Sequence, residues 1–175
     1  MKKILISLCG MILASCSSNR LSQYENNTPK LDLQSFLDGK ISGYGIVEDY
    51  KSNVTRRFDF SGIASWKGDN GNFDEKIVYN DGKIESRVWS IHKISDSVYE
   101  ATTPAVIGKA EINIAGNAMN WKYTMNIQVD DSTYKINFDD WMYLMPNGKL
   151  INRNYFKKFG FTVGELTLFM QKESS

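Results

Sequence analysis

From Met119 to Val129 the chain alternates without interruption. Met119, Trp121, Tyr123, Met125, Ile127 and Val129 fall on one side of an extended backbone, and Asn120, Lys122, Thr124, Asn126 and Gln128 on the other. Successive side chains of a strand point to opposite faces, so this segment is a strand with one dry and one wet side. The same grammar recurs along the chain. Alternating runs rich in β-branched and aromatic residues occupy 40–51, 54–67, 72–80, 83–94, 97–103, 107–115, 118–129, 133–145, 149–159 and 162–172. Asn80-Asp81-Gly82, Gly116-Asn117, Asp130-Asp131 and Pro146-Asn147-Gly148 punctuate them as hairpin-type turns. No connection is long enough for a crossover helix, so neighbouring strands are expected to pair antiparallel. Asp32 is placed to cap a short helix over Leu33 to Leu37, stopped by Gly39. The expected fold is therefore all-β: an antiparallel meander of about eight to ten strands closing into a lipocalin-like (calycin-like) barrel, with a short N-terminal helix. A two-sheet sandwich is the second way to hide the strand edges.

The first residues carry a different message. Met1-Lys2-Lys3 precedes an apolar run, Ile4 to Leu13, too short for the ~20 residues of a membrane span. Leu13-Ala14-Ser15-Cys16 closely resembles the bacterial lipobox. That resemblance implies acylation of Cys16, cleavage just before it, and, with Ser17 following, transport to the outer membrane. The expected organisation is a signal peptide over 1–15, an acylated cysteine and flexible tether over 16–30, and one barrel domain over 31–175. Several acyl chains would anchor the protein stably to a membrane, with the domain facing the periplasm. A membrane-spanning barrel shows similar alternation but needs an apolar exterior and a signal without a lipobox.

Composition removes most other function classes. Loss of Lys2 and Lys3 with the signal lowers the basic residues from 21 to 19, against 20 acidic ones. Near-neutral charge argues against a nucleic-acid partner. Cys9 leaves with the signal and Cys16 carries lipid, so no thiol remains for a disulfide, a nucleophile or zinc. The single histidine, His92, shares its strand face with Ser86 and Ser90 and reads as solvated. No metal and no cofactor are expected. Gly43-Tyr44-Gly45 lacks the strand-to-helix context of a nucleotide fingerprint, and Asp69 to Asp74 reads as a turn rather than a calcium loop.

Strand parity also places charges on dry faces. Arg56 lies with Phe58 and Phe60, Glu75 with Phe73 and Ile77, Arg87 with Trp89 and Ile91, and Asp140 with Phe138, Met142 and Leu144. Buried charge demands a partner, and the planar guanidinium suits a carboxylate. Three uses follow: an internal salt-bridge network that sets register, a pocket for the polar end of an apolar ligand, or a Glu/Asp acid–base pair. In the pocket reading Arg56 and Arg87 hold an anionic head, and Asp140 and Glu75 orient them. Trp89, Trp121, Tyr123, Met125 and Met142 then wall the tail.

Arg56-Arg57-Phe58, Asn80-Asp81-Gly82, Arg87-x-Trp89, Gly116-Asn117-Ala118, Trp121-x-Tyr123, Asp139-Asp140-Trp141-Met142-Tyr143 and Lys158-Phe159-Gly160 occur here in order behind a lipobox. Together they resemble the lipoprotein family catalogued as domain of unknown function 3833, from about Pro29 to Lys172. The resemblance implies a small Gram-negative lipoprotein and brings no catalytic residues with it. The expected function is an outer-membrane-anchored periplasmic lipoprotein that binds a small amphiphile, a fatty acid or lipid. A filled, non-catalytic barrel that docks an unidentified envelope protein is the alternative. An enzyme acting on a lipid intermediate comes third.

Overall fold

The computed structural model describes residues 20–129 and 131–173. Cys16, the signal segment and Asp130 lie outside the described residues. Ten strands follow in chain order: β1 (Gly39–Asp49), β2 (Val54–Lys67), β3 (Asn70–Tyr79), β4 (Ile84–Ser95), β5 (Val98–Thr102), β6 (Ala110–Ala115), β7 (Ala118–Val129), β8 (Ser132–Leu144), β9 (Leu150–Lys158) and β10 (Phe161–Lys172). Each pairs antiparallel with its neighbour, and β1 also pairs with β10, so the sheet closes into a barrel without free edges. A two-sheet sandwich is ruled out. The strands match the alternating runs to within a few residues, because the turn residues between them interrupt both pattern and pairing. Gly82 and Gly148 close their turns with N–H bonds of 2.9 Å to the Tyr79 and Met145 carbonyls.

The core is the inside of the barrel. Met119, Trp121 and Met125 of β7 are buried there with Phe58, Phe60, Phe73, Trp89 and Leu168 from other strands. Large rings fit because glycine stands beneath some of them. A Cβ on Gly62 would sit 2.4 Å from the Phe73 ring, and one on Gly45 would sit 2.5 Å from the Phe58 ring. The Gly-Tyr-Gly stretch of β1 thus serves packing. Gly62→Val should lower stability by about 1–3 kcal/mol through overpacking, read as an earlier urea midpoint at unchanged slope.

One end of the barrel is plugged. α1 (Leu33–Leu37) starts at Asp32, whose carboxylate accepts the Ser35 N–H at 2.8 Å, and it buries Leu33, Phe36 and Leu37. The opposite end carries the turns 50–53, 80–83 and 159–160 and forms the mouth.

Part of the segment expected as a tether packs against the barrel. Residues 21–24 form a 3-10 turn, and Tyr24 lays its ring against Trp141 and Tyr143, with centroids at 6.3 and 5.5 Å. The Leu31 N–H donates to the Gly116 carbonyl at 2.8 Å. Gly116 has φ +57°, and a Cβ there would run into the Tyr24 carbonyl, so only glycine permits this docking. The segment covers Trp141, which parity places on the outer face of β8 yet which is buried.

Candidate functional site

The cross-strand registers bring the inward charges into rows. Glu75 of β3 stands opposite Arg87 of β4, and Gly62 of β2 stands opposite Glu75. Across the barrel, Trp121 of β7, Asp140 of β8 and Asn154 of β9 form one row; Tyr123, Phe138 and Phe156 form the next. No register shift interrupts either set, so the parity read from sequence survives there.

Arg87 is fully engaged. Its Nε lies 2.9 Å from Glu75 Oε1, its Nη2 lies 3.6 Å from Glu85 Oε2, and its Nη1 points at the Met125 sulfur at 3.9 Å. Burial opposes the guanidinium charge most strongly, but Glu75, Tyr123, Glu85 and Tyr79 together outweigh it and the group stays protonated. Burial lifts the Glu75 carboxyl above its ordinary value, against the pull of Arg87 and a hydrogen bond from Trp89. This is a matched ion pair inside a protein wall.

Among the described residues no cation pairs with Asp140. Its Oδ1 accepts from Asn152 Nδ2, which also donates to the Trp141 carbonyl at 3.0 Å. Asn154 Nδ2 donates to the Tyr123 hydroxyl at 3.1 Å and supports the Asp140 carboxyl from the other side. Burial pushes the Asp140 pKa up to about 8, with the Glu75 charge adding to the rise and Asn152 opposing it. At neutral pH this residue is a neutral carboxylic acid and a hydrogen-bond donor. Its neighbour Asp139 goes the other way. It points outward, and despite partial burial, Lys157 and Asn120 hold its carboxyl below the ordinary value. The Tyr123 hydroxyl is raised by burial and stays un-ionised.

These groups open into a cavity of about 360 Å³ within the barrel, inside the ~300–1,000 Å³ range of small-molecule sites. Its walls are mostly apolar. Trp89 meets Trp121 edge-on at 4.8 Å and Tyr123 at 5.3 Å, Tyr123 stacks on Phe138 at 4.8 Å, and Phe156 follows at 5.2 Å. Leu33, Phe36 and Leu37 floor it at the plugged end. Toward the mouth it reaches Glu85 and the exposed Val163. A larger depression of about 790 Å³ lies over β2 to β4, but its lining includes the outward Lys76, Ser86 and Val88 and it lies open to solvent.

Eight of the nine residues singled out for a ligand line the interior cavity: Glu75, Arg87, Trp89, Trp121, Tyr123, Met125, Asp140 and Met142. Arg56 does not. A register shift falls between its partner Val47 and Glu48, at the end of the paired region. There its guanidinium stacks over the Tyr79 ring at 4.7 Å and reaches Asp81 at 3.6 Å, over a third exposed. The same shift turns Val54 out to solvent. The expected pairing of Asp140 with an arginine is also corrected: its partners are the amides of Asn152 and Asn154. Both amides share the Leu150 face of β9, a parity signal as plain as that of the charges, but one that a search for charged partners passes over. Glu85, two positions before Arg87, is a second omission of the same kind.

Fold and site define a small closed β-barrel whose apolar interior holds a polar cluster of one ion pair and one neutral acid. A family profile matches residues 10–172, and the chain belongs to that family, described as "Protein of unknown function (DUF3833)". A search of curated proteins finds no match. Among solved structures the barrel is similar to the S-type phycobiliprotein lyase CPES from Guillardia theta, a calycin-like barrel, with a TM-score of 0.58. The alignment covers 90% of this chain and 99% of that one at 5% identity, a likeness of fold alone.

Proposed function

We propose that this protein is an acylated lipoprotein of the outer membrane whose periplasmic barrel takes up a small amphiphile, a fatty acid or other fatty-acyl lipid. The cavity carries the ligand half of this reading: it lies inside the barrel, its lining is mostly apolar, and its polar groups gather in the Glu75–Arg87 pair and in the Asp140 row across from it. A filled barrel acting only as a docking partner would lack that space. Phe159 and Phe161, 87% and 76% exposed beside the mouth, extend the apolar path outward.

The anchoring half rests on the lipobox-like Leu13-Ala14-Ser15-Cys16. Arg20 leads directly into the segment docked at the β6–β7 turn, on the plugged end. From Cys16 to Arg20 an extended chain spans at most about 14 Å. Acylation would therefore hold the plugged end near the membrane and turn the mouth toward the periplasm.

Radiolabelled palmitate should label the protein in cells and fail to label Cys16→Ser; equal labelling would remove the anchor. For the ligand, native mass spectrometry of the full chain from a lipid-rich host should show a bound lipid that Met142→Trp, which fills the cavity, displaces while near-UV circular dichroism persists. Ligand-free wild-type protein from such a host would refute the cavity reading.

A further inference from the structure

A ligand's polar end in this cavity would meet a short inventory of hydrogen-bonding groups. Among the described residues Arg87 is the only cation in the lining, and its charge is already met by Glu75 and Glu85. An anionic head would find that guanidinium already held by Glu75 at 2.9 Å, with Glu85, itself paired with Lys83 at 3.0 Å, beside it. A cationic head would have to displace Arg87 from a 2.9 Å contact. Either charge would also leave water for an interior walled by Trp89, Phe138 and Met125, a transfer that costs several kcal/mol per ion without a free partner.

The row across the barrel offers something different. Asn154 and Trp121 are each only 5% exposed and both line the cavity. Among the described residues, the Oδ1 of Asn154 and the Nε1 of Trp121 have no hydrogen-bond partner. Buried polar atoms are rarely left this way in a folded protein. They flank Asp140 in the register, one on each side. One is an acceptor and the other a donor, and the Tyr123 hydroxyl and the Asp140 carboxyl beside them are uncharged.

We infer that the site takes an uncharged head group, one that offers a carbonyl oxygen to Trp121 and a hydroxyl or N–H to Asn154: a fatty amide, a monoacylglycerol-type ester or a protonated fatty acid. This deepens the proposed ligand reading and rests on it. It also replaces the anionic head expected from the two arginines. Free fatty acid then enters only in its neutral form, so its apparent affinity falls as pH rises above its own titration.

Dodecanamide, dodecanoate and dodecyltrimethylammonium share one tail and differ in head charge. Binding to the full chain at pH 7.5, followed by quenching of the buried tryptophans and by calorimetry below each probe's micelle concentration, separates the cases. Dodecanamide should bind at least about ten-fold more tightly than either ion, and Asn154→Leu should cost it about ten-fold, the loss of one buried hydrogen bond. Trp121→Phe repeats the test at the donor if Asn154→Leu disturbs the fold. Dodecanoate binding as tightly as the amide overturns the inference and leaves the cavity reading standing. Amide binding indifferent to both substitutions overturns it as well. Binding of none of the three overturns both.

Discussion

Between pH 4 and pH 8 the protein should lose stability steadily, and Asp140→Asn should abolish most of that loss. In the unfolded chain Asp140 titrates near the ordinary ~3.9, whereas burial holds it protonated in the barrel up to about 8. Between those values the folded state carries a proton that the unfolded state has released. Stability therefore falls by about 1.4 kcal/mol per pH unit. The contribution is complete below about pH 4 and gone above about pH 8, a total on the order of 5 kcal/mol. That is a large share of the ~5–15 kcal/mol that holds a domain of this kind folded. Asparagine keeps the acceptor that Asn152 Nδ2 uses and has nothing to ionise. The variant should match wild type to within about 1 kcal/mol at pH 4 and exceed it by several kcal/mol at pH 8. Urea melts at half-unit pH steps measure this directly, and parallel curves for the two proteins would show Asp140 ionised in the folded barrel.

The position of Asp140 was legible in the sequence because a closed meander preserves the two-residue period. Phe138, Asp140 and Met142 must face one way, and nothing in β8 interrupts the count. Glu75 and Arg87 were legible for the same reason. Arg56 was legible only in its parity. It pairs in register with Val47, and the irregular residue near Thr55 lies beyond it, but it stands at the barrel's end, where its guanidinium meets Tyr79 and Asp81 instead of the cavity; alternation gives a face and not a depth. Trp141 is a case that parity alone does not cover: it points outward, but a segment far away in sequence covers it, and only the three-dimensional docking of Tyr24 onto that face reveals this. The partner of Asp140 was misread for a chemical reason. A buried carboxyl can be accommodated by a counter-ion or by losing its charge, and sequence pattern alone favours neither. The fold decided it, by giving Arg87 to Glu75 and Glu85 and giving Asp140 the amides of β9. Barrel closure follows from strand count and turn chemistry, while the state of the cavity follows from side-chain volumes that no pattern encodes.

Arg87→Met should be the most damaging single change in the cavity wall. It leaves Glu75, its side chain 14% exposed, without a cation, while Glu85 beside it keeps Lys83 at 3.0 Å. Removing one partner of a buried pair costs about 3–5 kcal/mol, because the other charge keeps its desolvation penalty. The damage should ease as pH falls, because Glu75, already raised by burial and now without Arg87 to lower it, takes up a proton more readily. Glu75→Gln combined with Arg87→Met should recover most of the loss, since the pair disappears together and the introduced amide retains an acceptor for Trp89. A double-mutant cycle in urea gives the coupling energy, and additive single effects would mean that the two groups do not depend on each other. Ligand binding supplies the second readout. If the pair serves the register of β3 on β4, the double variant should bind dodecanamide nearly as well as wild type. If Arg87 instead grips the ligand, the double variant should fold and bind poorly. The ion pair on one wall and the neutral row on the other can then be assigned separate tasks: the first holds the barrel, and the second meets the head group.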